Sequence, residues 1–362
     1  MCPVRTVTLE DLDDLAFGAA LFGTGGGGSV DGQLLSAKAA LAELGPVPLV
    51  DIDELPADSL VMPLSGIGAP VVSHEVLRNG HEAALIRSAV EREFGRPVAA
   101  VLSSELGGGN GVEPVMWAAR LGLPIVDGDG MGRAFPEVQM VTYYVCDMPV
   151  TPVFLADVQG NVTVLHPVSG EWSEPIARAV TVAMGSSALM ADYVLPAGVV
   201  KDAIVRSSMS RAIRVGRAVR TSTSPLAAIE SELTASRLIT GKIREIERRT
   251  GGGFVRGSVI IEGSGPDRDR LLRIEIQNEN LIALEDGQPL AVVPDLISVV
   301  DSTTGRAIAT EELKYGLRVA VMAWPCDPIW RTPKGLRTAG PEAFGYDVSY
   351  VPIEQVRRDR AS

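Results

Sequence analysis

The stretch Leu123-Pro-Ile-Val-Asp-Gly-Asp-Gly-Met-Gly-Arg-Ala-Phe-Pro-Glu137 decides the predicted fold. Its first four residues are apolar and predict a β-strand, which two aspartates, three glycines and an arginine follow closely. Glycine lets a backbone adopt positive φ and approach a ligand closely. Open α/β sheets bind ligands at the carboxyl ends of their strands. The stretch therefore predicts a sheet strand that ends in a functional site.

The same arrangement of an apolar strand and a glycine-rich polar loop recurs through the N-terminal half. Predicted strands at 60–64 and 97–102 lead into glycines at 66–68 and 107–109, and predicted helices lie between the strands. Alternating strands and helices indicate an α/β domain with a mostly parallel sheet flanked by helices. The glycine-rich loops would then converge on one edge of this sheet, and the glycines at 25–28 can join them.

After Glu137 the pattern changes to shorter strands separated by Gly and Pro turns, which is typical of a β-barrel or β-sandwich part. A chain of 362 residues is also longer than one hydrophobic core usually holds. We therefore predict an α/β domain at 1–165 and an α+β domain rich in short β-strands at 166–362. After Glu137 we predict strands at 138–145, 153–158 and 161–168, a helix at 172–190, a largely helical segment at 199–239, and further strands between 255 and 323.

Composition limits the classes of protein and partner. The formal net charge is −12, which disfavours a nucleic-acid partner because such binding needs a basic surface. Three cysteines among 362 residues indicate reduced thiols in a cytoplasmic protein. The N-terminus lacks the pattern of a signal peptide, and no apolar stretch is long enough to span a membrane. We expect a cytoplasmic protein that acts on a small molecule.

Asp127 and Asp129 are the first candidate site residues. In an extended backbone, residues i and i+2 share a face, so both carboxylates can act on one ligand. They can bind a divalent metal, with Glu105, His74 and Glu137 as candidates for the further ligands, or accept hydrogen bonds from the N–H groups of a cyclic amide. The alternative is that one aspartate caps the turn that follows it, an ordinary use of Asp.

Glu105 is the candidate general base. It follows a strand that the pattern predicts to be buried, and burial raises the pKa of a carboxyl group toward neutrality. Asn110, five residues later, can polarise a substrate carbonyl or thiocarbonyl. The alternative for Glu105 is a structural ion pair, for which Arg133 is the candidate partner.

The run Gly23-Thr-Gly-Gly-Gly-Gly-Ser29 precedes a predicted helix, an arrangement whose N–H groups suit an anion. It lacks the pattern of a phosphate-binding P-loop and follows a helix instead of a strand. We expect it to contact a substrate carboxylate or substrate edge, with a nucleotide site and a tight structural turn as alternatives. The residues expected to contact substrate are Gly26, Gly27, Gly68, His74, Gly108, Asn110 and Glu137.

The sequence resembles the S-methyl thiohydantoin desulfurase family. The resemblance lies in Gly66-Ile-Gly-Ala-Pro70, Glu105-Leu-Gly-Gly-Gly-Asn110, the run from Leu123 to Met140, and Ala156-Asp-Val-Gln-Gly-Asn161. The tail Gly340-Pro-Glu-Ala-Phe-Gly-Tyr-Asp347 is similar to the end of the second domain of that family. The resemblance spans roughly residues 10–353 and implies a two-domain, cytoplasmic α/β protein.

The resemblance also implies an activity. Water would attack C2 of a hydantoin-like ring and an S-methyl group would leave as methanethiol. This reaction needs a base for the water, donors for the charge on the ring, and in one version a metal. The residues that can supply these functions are Glu105, Asp127, Asp129, Arg133 and Asn110.

Two other functions remain open from the sequence. The chain can be a non-catalytic partner subunit of a hydantoinase-type complex, in which case it would bind its partner without turnover. It can also be an ATP-assisted opener of cyclic amides, in which case the glycines at 25–28 would bind the nucleotide. A homo-oligomer is compatible with all three functions.

Overall fold

The computed structural model describes residues 5–68, 80–251 and 254–356. The α-helices are α1 Leu12–Phe22, α2 Asp31–Leu44, α3 Glu82–Phe94, α4 Glu113–Leu121, α5 Thr142–Val145, α6 Gly170–Ala183, α7 Ala197–Val200, α8 Ser208–Thr221, α9 Pro225–Leu233 and α10 Pro333–Ala339. The strands are β1 Thr6–Val7, β2 Val47–Val50, β3 Leu60–Gly68, β4 Val98–Ser103, β5 Ile125–Asp129, β6 Val153–Ala156, β7 Val162–Leu165, β8 Ser187–Ala191, β9 Leu195–Pro196, β10 Val205–Arg206, β11 Ser236–Gly251, β12 Phe254–Gly263, β13 Leu271–Gln277, β14 Glu279–Glu285, β15 Gln288–Val292, β16 Leu296–Asp301 and β17 Arg318–Trp324.

The first sheet has the strand order β1-β2-β5-β4-β3-β8-β6-β7, with β9 and β10 paired to β3 and β5. Its central strands β2, β5, β4 and β3 are parallel. The strands on either side of this centre are antiparallel. The predicted α/β class is confirmed, with the parallel arrangement confined to the centre. Strands β8 to β10 follow residue 165 in the chain and still join this sheet.

The second sheet has the order β15-β14-β13-β12-β11-β17-β16 and is antiparallel throughout. Its strands form a hydrophobic cluster of their own, in which Ile243, Ile261, Ile274 and Val321 are buried. The predicted second part rich in β-strands is therefore confirmed. Apolar residues at alternate positions of β13 explain the pairing, because a strand with one buried face alternates buried and exposed side chains.

Two predicted elements after Glu137 are wrong. The strand predicted at 138–145 is a turn followed by α5, because Thr142 folds back onto the loop after β5: its N–H and its hydroxyl donate to the Gly130 carbonyl at 2.7 and 2.9 Å. The helix predicted at 172–190 ends at Ala183. Gly185, with φ of 88°, turns the chain there into strand β8.

The segment at 199–239, predicted to be largely helical, is interrupted: it contains the end of α7, β10, α8, α9 and the start of β11. Pro225 begins α9 at a position where its missing N–H costs no hydrogen bond. Thr234, with φ of 52°, ends that helix and sends the chain into β11. The apolar positions in this segment are periodic enough for a helix, but these two backbone features divide it.

Helices α1 and α8 pack closely because each presents a glycine to the other. A Cβ on Gly18 would overlap the Ala212 carbonyl, and a Cβ on Gly216 would overlap the Asp14 carbonyl. Next to this contact the buried Asp14 carboxylate accepts a hydrogen bond from Arg217 Nε at 2.8 Å and another from Arg220. Arg217 and Arg220 of α8 therefore form ion pairs at the helix–helix contact.

We expect Gly216→Ala to lower the free energy of unfolding by about 1–3 kcal/mol, the usual cost of forcing an extra carbon into a packed contact. This loss should appear although Ala favours a helix interior over Gly by roughly 1 kcal/mol. Gly32→Ala is the matched control, because a Cβ on Gly32 in α2 meets nothing within 4 Å. Urea unfolding measures both variants. Equal stability of the two would contradict the close packing of α1 on α8.

Candidate functional site

A cavity of about 140 Å³ lies where β3, β4 and β5 end at their carboxyl side. The end of β3 and the loops after β4 and β5 form most of its wall, and Asn278 and Glu279 of the second sheet region also line it. Among the residues predicted from the sequence, those that line the cavity are Gly27, Gly68, Glu105, Asn110 and Glu137. Predicted residues outside the lining are Gly26, Gly108, Asp127, Asp129 and Arg133.

Glu105 is the buried carboxyl group of the cavity wall. Its side chain accepts hydrogen bonds from Asn110 Nδ2 at 2.5 Å and from the Phe135 N–H at 3.2 Å. Burial raises the pKa of Glu105 to about 7, although the hydrogen bond from Asn110 acts in the opposite direction. A carboxyl group with this pKa can exchange protons with a ligand near neutral pH.

Asn110 orients Glu105. Its Oδ1 accepts the Gly66 N–H at 3.0 Å, so its Nδ2 must point at the Glu105 carboxylate. The Asn110 carboxamide thus links the end of β3 to the loop after β4. The sequence predicted that Asn110 polarises a substrate carbonyl, but its Nδ2 is engaged with Glu105.

Asp129 connects two loops of the rim. Its Oδ2 accepts the N–H groups of Met131 at 2.9 Å and Gly132 at 2.7 Å, and also that of Leu106 at 2.9 Å. Burial raises its pKa to about 6. The alternative considered from the sequence, an aspartate that caps the following turn, describes the first two bonds. The hydrogen bond from the Leu106 N–H ties Asp129 to the residue that follows Glu105, and Asp129 itself is outside the cavity lining.

Asp127 anchors a helix. Its carboxylate accepts the Ser210 N–H at 3.0 Å and the Ser210 hydroxyl, and its carbonyl accepts the Ser207 N–H at 2.9 Å. Carboxylates stabilise helix N-termini by satisfying free N–H groups there. Asp127 therefore holds the first turn of α8 against β5. Its carboxylate contacts α8, whereas the carboxylate of Asp129 contacts the rim loops.

Arg133 joins the two sheet regions. Its guanidinium is buried and donates to the carbonyls of Pro294 at 2.7 Å and Asp295 at 3.0 Å, and to Thr24 Oγ1 at 3.0 Å. Burial lowers its pKa to about 10, and the nearby carboxylates, Glu279 first, oppose this effect. The side chain therefore holds the Gly-rich loop after α1 and the turn before β16 together.

The glycine run after α1 lies between the rim loops and the second sheet region. Gly27 and Gly28 line the cavity, whereas a Cβ on Gly26 would overlap the Glu279 carboxylate. A Cβ on Gly108 would overlap the backbone of Gly27. The run is therefore part of the cavity wall at Gly27 and Gly28 and a close-packed turn at Gly26.

The cavity residues that were not predicted from the sequence include three with unpartnered buried side-chain oxygens: Ser104, Asp192 and Glu279. All three are buried, and Ser104 Oγ, both Asp192 oxygens and Glu279 Oε2 have no hydrogen-bond partner on another described residue. Burial raises the pKa of Glu279 well above its usual range, and the charge of Glu105 adds to the effect. Ser104 is adjacent to Glu105 in the quoted loop. Asp192 follows β8, which was predicted as helix, and no sequence pattern indicates that Glu279 reaches this cavity.

The hypothesis of a divalent metal named Asp127 and Asp129, with Glu105, His74 and Glu137 as candidates for the further ligands. The two aspartates bind N–H donors of different elements, as described above, and His74 lies outside the described residues. In residues 5–68, 80–251 and 254–356, no three His, Cys, Asp or Glu side chains are grouped as metal ligands.

No helix of the same ranges is long and apolar enough to cross a membrane.

Comparison with known proteins covers nearly the whole chain. The family profile of the S-Me-THD-like N-terminal domain matches residues 10–167, and that of the S-Me-THD-like C-terminal domain matches residues 168–353. A crystal structure of a protein from Chromobacterium violaceum is similar, with 27% sequence identity and a TM-score of 0.78 over 97% of this chain and 100% of that chain. No curated protein matches the chain. The family prediction made from the rim motifs is confirmed: this chain belongs to the S-Me-THD-like family.

Proposed function

We propose that this protein hydrolyses an S-alkyl thiohydantoin or a closely related S-alkylated ring in the cavity at the ends of β3, β4 and β5, with release of a thiol. One observation carries the proposal: Glu105 is a buried carboxyl group on the wall of a small cavity, held by Asn110 and by the Phe135 amide. Membership of a family named for thiohydantoin-like chemistry supports the type of ring.

Glu105 is the base in this proposal. Attack of water on ring C2 requires that a proton leaves the water as its oxygen bonds to carbon. General bases are most effective when their pKa lies near the working pH, and the Glu105 pKa of about 7 meets that condition. Asp129 accepts the N–H of Leu106, the residue that follows Glu105, and so holds the loop that carries the base. Asp127 and Arg133 hold the surrounding elements.

The size and polarity of the cavity favour a small ring. Its volume of about 140 Å³ is below the roughly 300–1,000 Å³ of pockets that take larger ligands. Buried polar groups usually have a hydrogen-bond partner, and the free oxygens of Asp192 and Glu279 would find partners in the ring of a cyclic amide. These properties support a hydantoin-sized substrate over a nucleotide.

The proposal is tested by incubating the purified protein with S-methyl thiohydantoin in water enriched in oxygen-18. We expect methanethiol and hydantoin in equal amounts, with one labelled oxygen at C2 of the hydantoin. Heat-denatured protein is the control for spontaneous hydrolysis. Release of thiol without label in the ring, or a rate equal to that of the control, would contradict hydrolysis at C2.

A further inference from the structure

Asp192 is a buried acidic residue that lines the cavity and has no function in the mechanism so far. It follows strand β8 and is 1% exposed. Neither carboxylate oxygen has a hydrogen-bond partner on another described residue. A polar group buried without a partner is costly, and such groups in native proteins call for an explanation, which an absent ligand can supply. Since Asp192 shares one small cavity with Glu105, the same ligand can contact both.

The surroundings of Asp192 favour its neutral form. The aromatic rings of Tyr143 and Tyr193 lie next to each other with centroids 5.2 Å apart, and burial raises the pKa of both hydroxyls. Burial also raises the pKa of Asp192, to about 7. The titratable groups that face it from the packed elements and across the cavity are Tyr143, Tyr193, Glu105, Glu113, Glu137, Arg178 and Glu279.

The environments of Asp192 and Glu105 differ in one respect that assigns their roles. Two N–H donors, from Asn110 and Phe135, point at the Glu105 carboxylate and favour its ionised form. No donor from another described residue points at Asp192. Two carboxyl groups in one site with different environments commonly divide into a base and an acid. Glu105 is then the base, and Asp192 is the acid.

We propose that Asp192, in its neutral form, donates its proton to the ring nitrogen of the substrate C2=N bond as water adds to C2. This role rests on the proposed hydrolysis and names a second catalytic residue for it. It also names the substrate form: the ring must present an unprotonated nitrogen next to the carbon that bears sulfur, as an S-alkylated thiohydantoin does.

The proton transfers balance. As the water oxygen bonds to C2, Glu105 takes a proton from the water, the electrons of the C2=N bond move onto nitrogen, and nitrogen takes the proton of Asp192. When the C2–S bond breaks, its electron pair leaves with sulfur, and the thiolate takes the proton from Glu105. The C2 hydroxyl then returns its proton to Asp192 as the carbonyl forms. One water is consumed, and one hydantoin and one methanethiol are formed.

The test compares pH profiles of kcat/KM for S-methyl thiohydantoin in the wild type and in Asp192→Asn. We expect a bell-shaped wild-type profile, in which the alkaline limb reports loss of the Asp192 proton. The variant should be at least tenfold slower at pH 7 and should lack the alkaline limb, because an amide can donate a hydrogen bond without titrating. An unchanged alkaline limb in the variant would overturn the role of Asp192.

A binding measurement keeps the role testable without relying on turnover. Glu105→Gln should hold S-methyl thiohydantoin without hydrolysing it, and its affinity by calorimetry should fall about tenfold per pH unit above the pKa of Asp192. The double variant that combines Glu105→Gln with Asp192→Asn should lose this pH dependence of affinity. Any pH dependence that remains in the double variant comes from titration of the substrate itself. Equal pH dependence of the single and double variants would contradict the role.

The experiments distinguish failure of the proposed hydrolysis from failure of the proposed role of Asp192. A wild-type protein that neither binds nor hydrolyses S-methyl thiohydantoin contradicts the proposed function and this role with it. An active wild type whose Asp192→Asn variant keeps the alkaline limb contradicts this role alone. If Asp192→Asn fails to fold, the calorimetric profile of Glu105→Gln still decides, since affinity that does not change between pH 5 and pH 9 would overturn the proposal.

Discussion

Replacement of Glu105 by Gln is expected to lower kcat for thiol release by about 10²–10⁴-fold, the usual contribution of a general base. Glutamine has nearly the same shape and keeps one oxygen, which can accept from Asn110 or from the Phe135 N–H, since these donors bind different oxygens of Glu105. It cannot take a proton from water. The protein should therefore fold normally and retain affinity for the ring, so that the loss appears in kcat more than in KM.

The pKa of Glu105 also predicts the direction in which kcat/KM changes with pH. Because burial raises the pKa of Glu105 to about 7, the base is protonated and inactive below that pH, and kcat/KM should fall as pH falls from 7 to 5. The variant should lack this acid limb. Glu43→Gln, on the exposed end of α2, is the control and should match the wild type. A Glu105→Gln rate within threefold of the wild type would contradict a base at this position.

Replacement of Asp295 by Ala is expected to produce the largest loss of stability, about 3–5 kcal/mol, as when one partner of a buried ion pair is removed. The Asp295 carboxylate is fully buried and accepts hydrogen bonds from Arg331 Nη2 at 2.8 Å, the Tyr350 hydroxyl at 3.0 Å, and the N–H groups of Cys326 at 3.0 Å and Ile353 at 2.8 Å. It therefore ties the C-terminal segment to the turn before β16.

Urea unfolding of Asp295→Ala measures this loss. Asp295→Asn should lose less, because one oxygen remains and still accepts from one of the two backbone N–H groups, which bind different oxygens of Asp295. Asp58→Ala, at an exposed turn, should stay within roughly 0.5 kcal/mol of the wild type, as is usual for surface substitutions. A loss below 1 kcal/mol in Asp295→Ala would show that the C-terminal segment is held by other contacts.

The rim of the first sheet could be predicted from the sequence because its signal is local. An apolar strand followed by glycines and polar residues indicates the carboxyl end of a parallel strand, and Glu105 and Asn110 lie at such an end and line the cavity. Asp127 and Asp129 obey the same rule but bind Ser210 and Leu106, which come from other parts of the chain. The local pattern does not distinguish an aspartate that faces a ligand from one that binds backbone N–H groups.

The remaining site residues depend on tertiary structure. Asp192 reaches the cavity because β8 pairs with β3 in an antiparallel arrangement, whereas the sequence there has an apolar pattern that also fits the end of a helix. Glu279 begins a strand of the second sheet and reaches the cavity because Arg133, Thr24 and Asn280 hold the two regions together. Neither placement has a sequence signal, since each depends on which distant segment lies next to the rim.

The most direct test of the central claim is a crystal structure of Glu105→Gln with S-methyl thiohydantoin bound. We predict the ring inside the cavity at the ends of β3, β4 and β5, with C2 facing residue 105 and a ring nitrogen within hydrogen-bond distance of Asp192. A ring bound elsewhere, such as against Asp127 at the start of α8 or on the outer side of the glycine run, would contradict this assignment of the site.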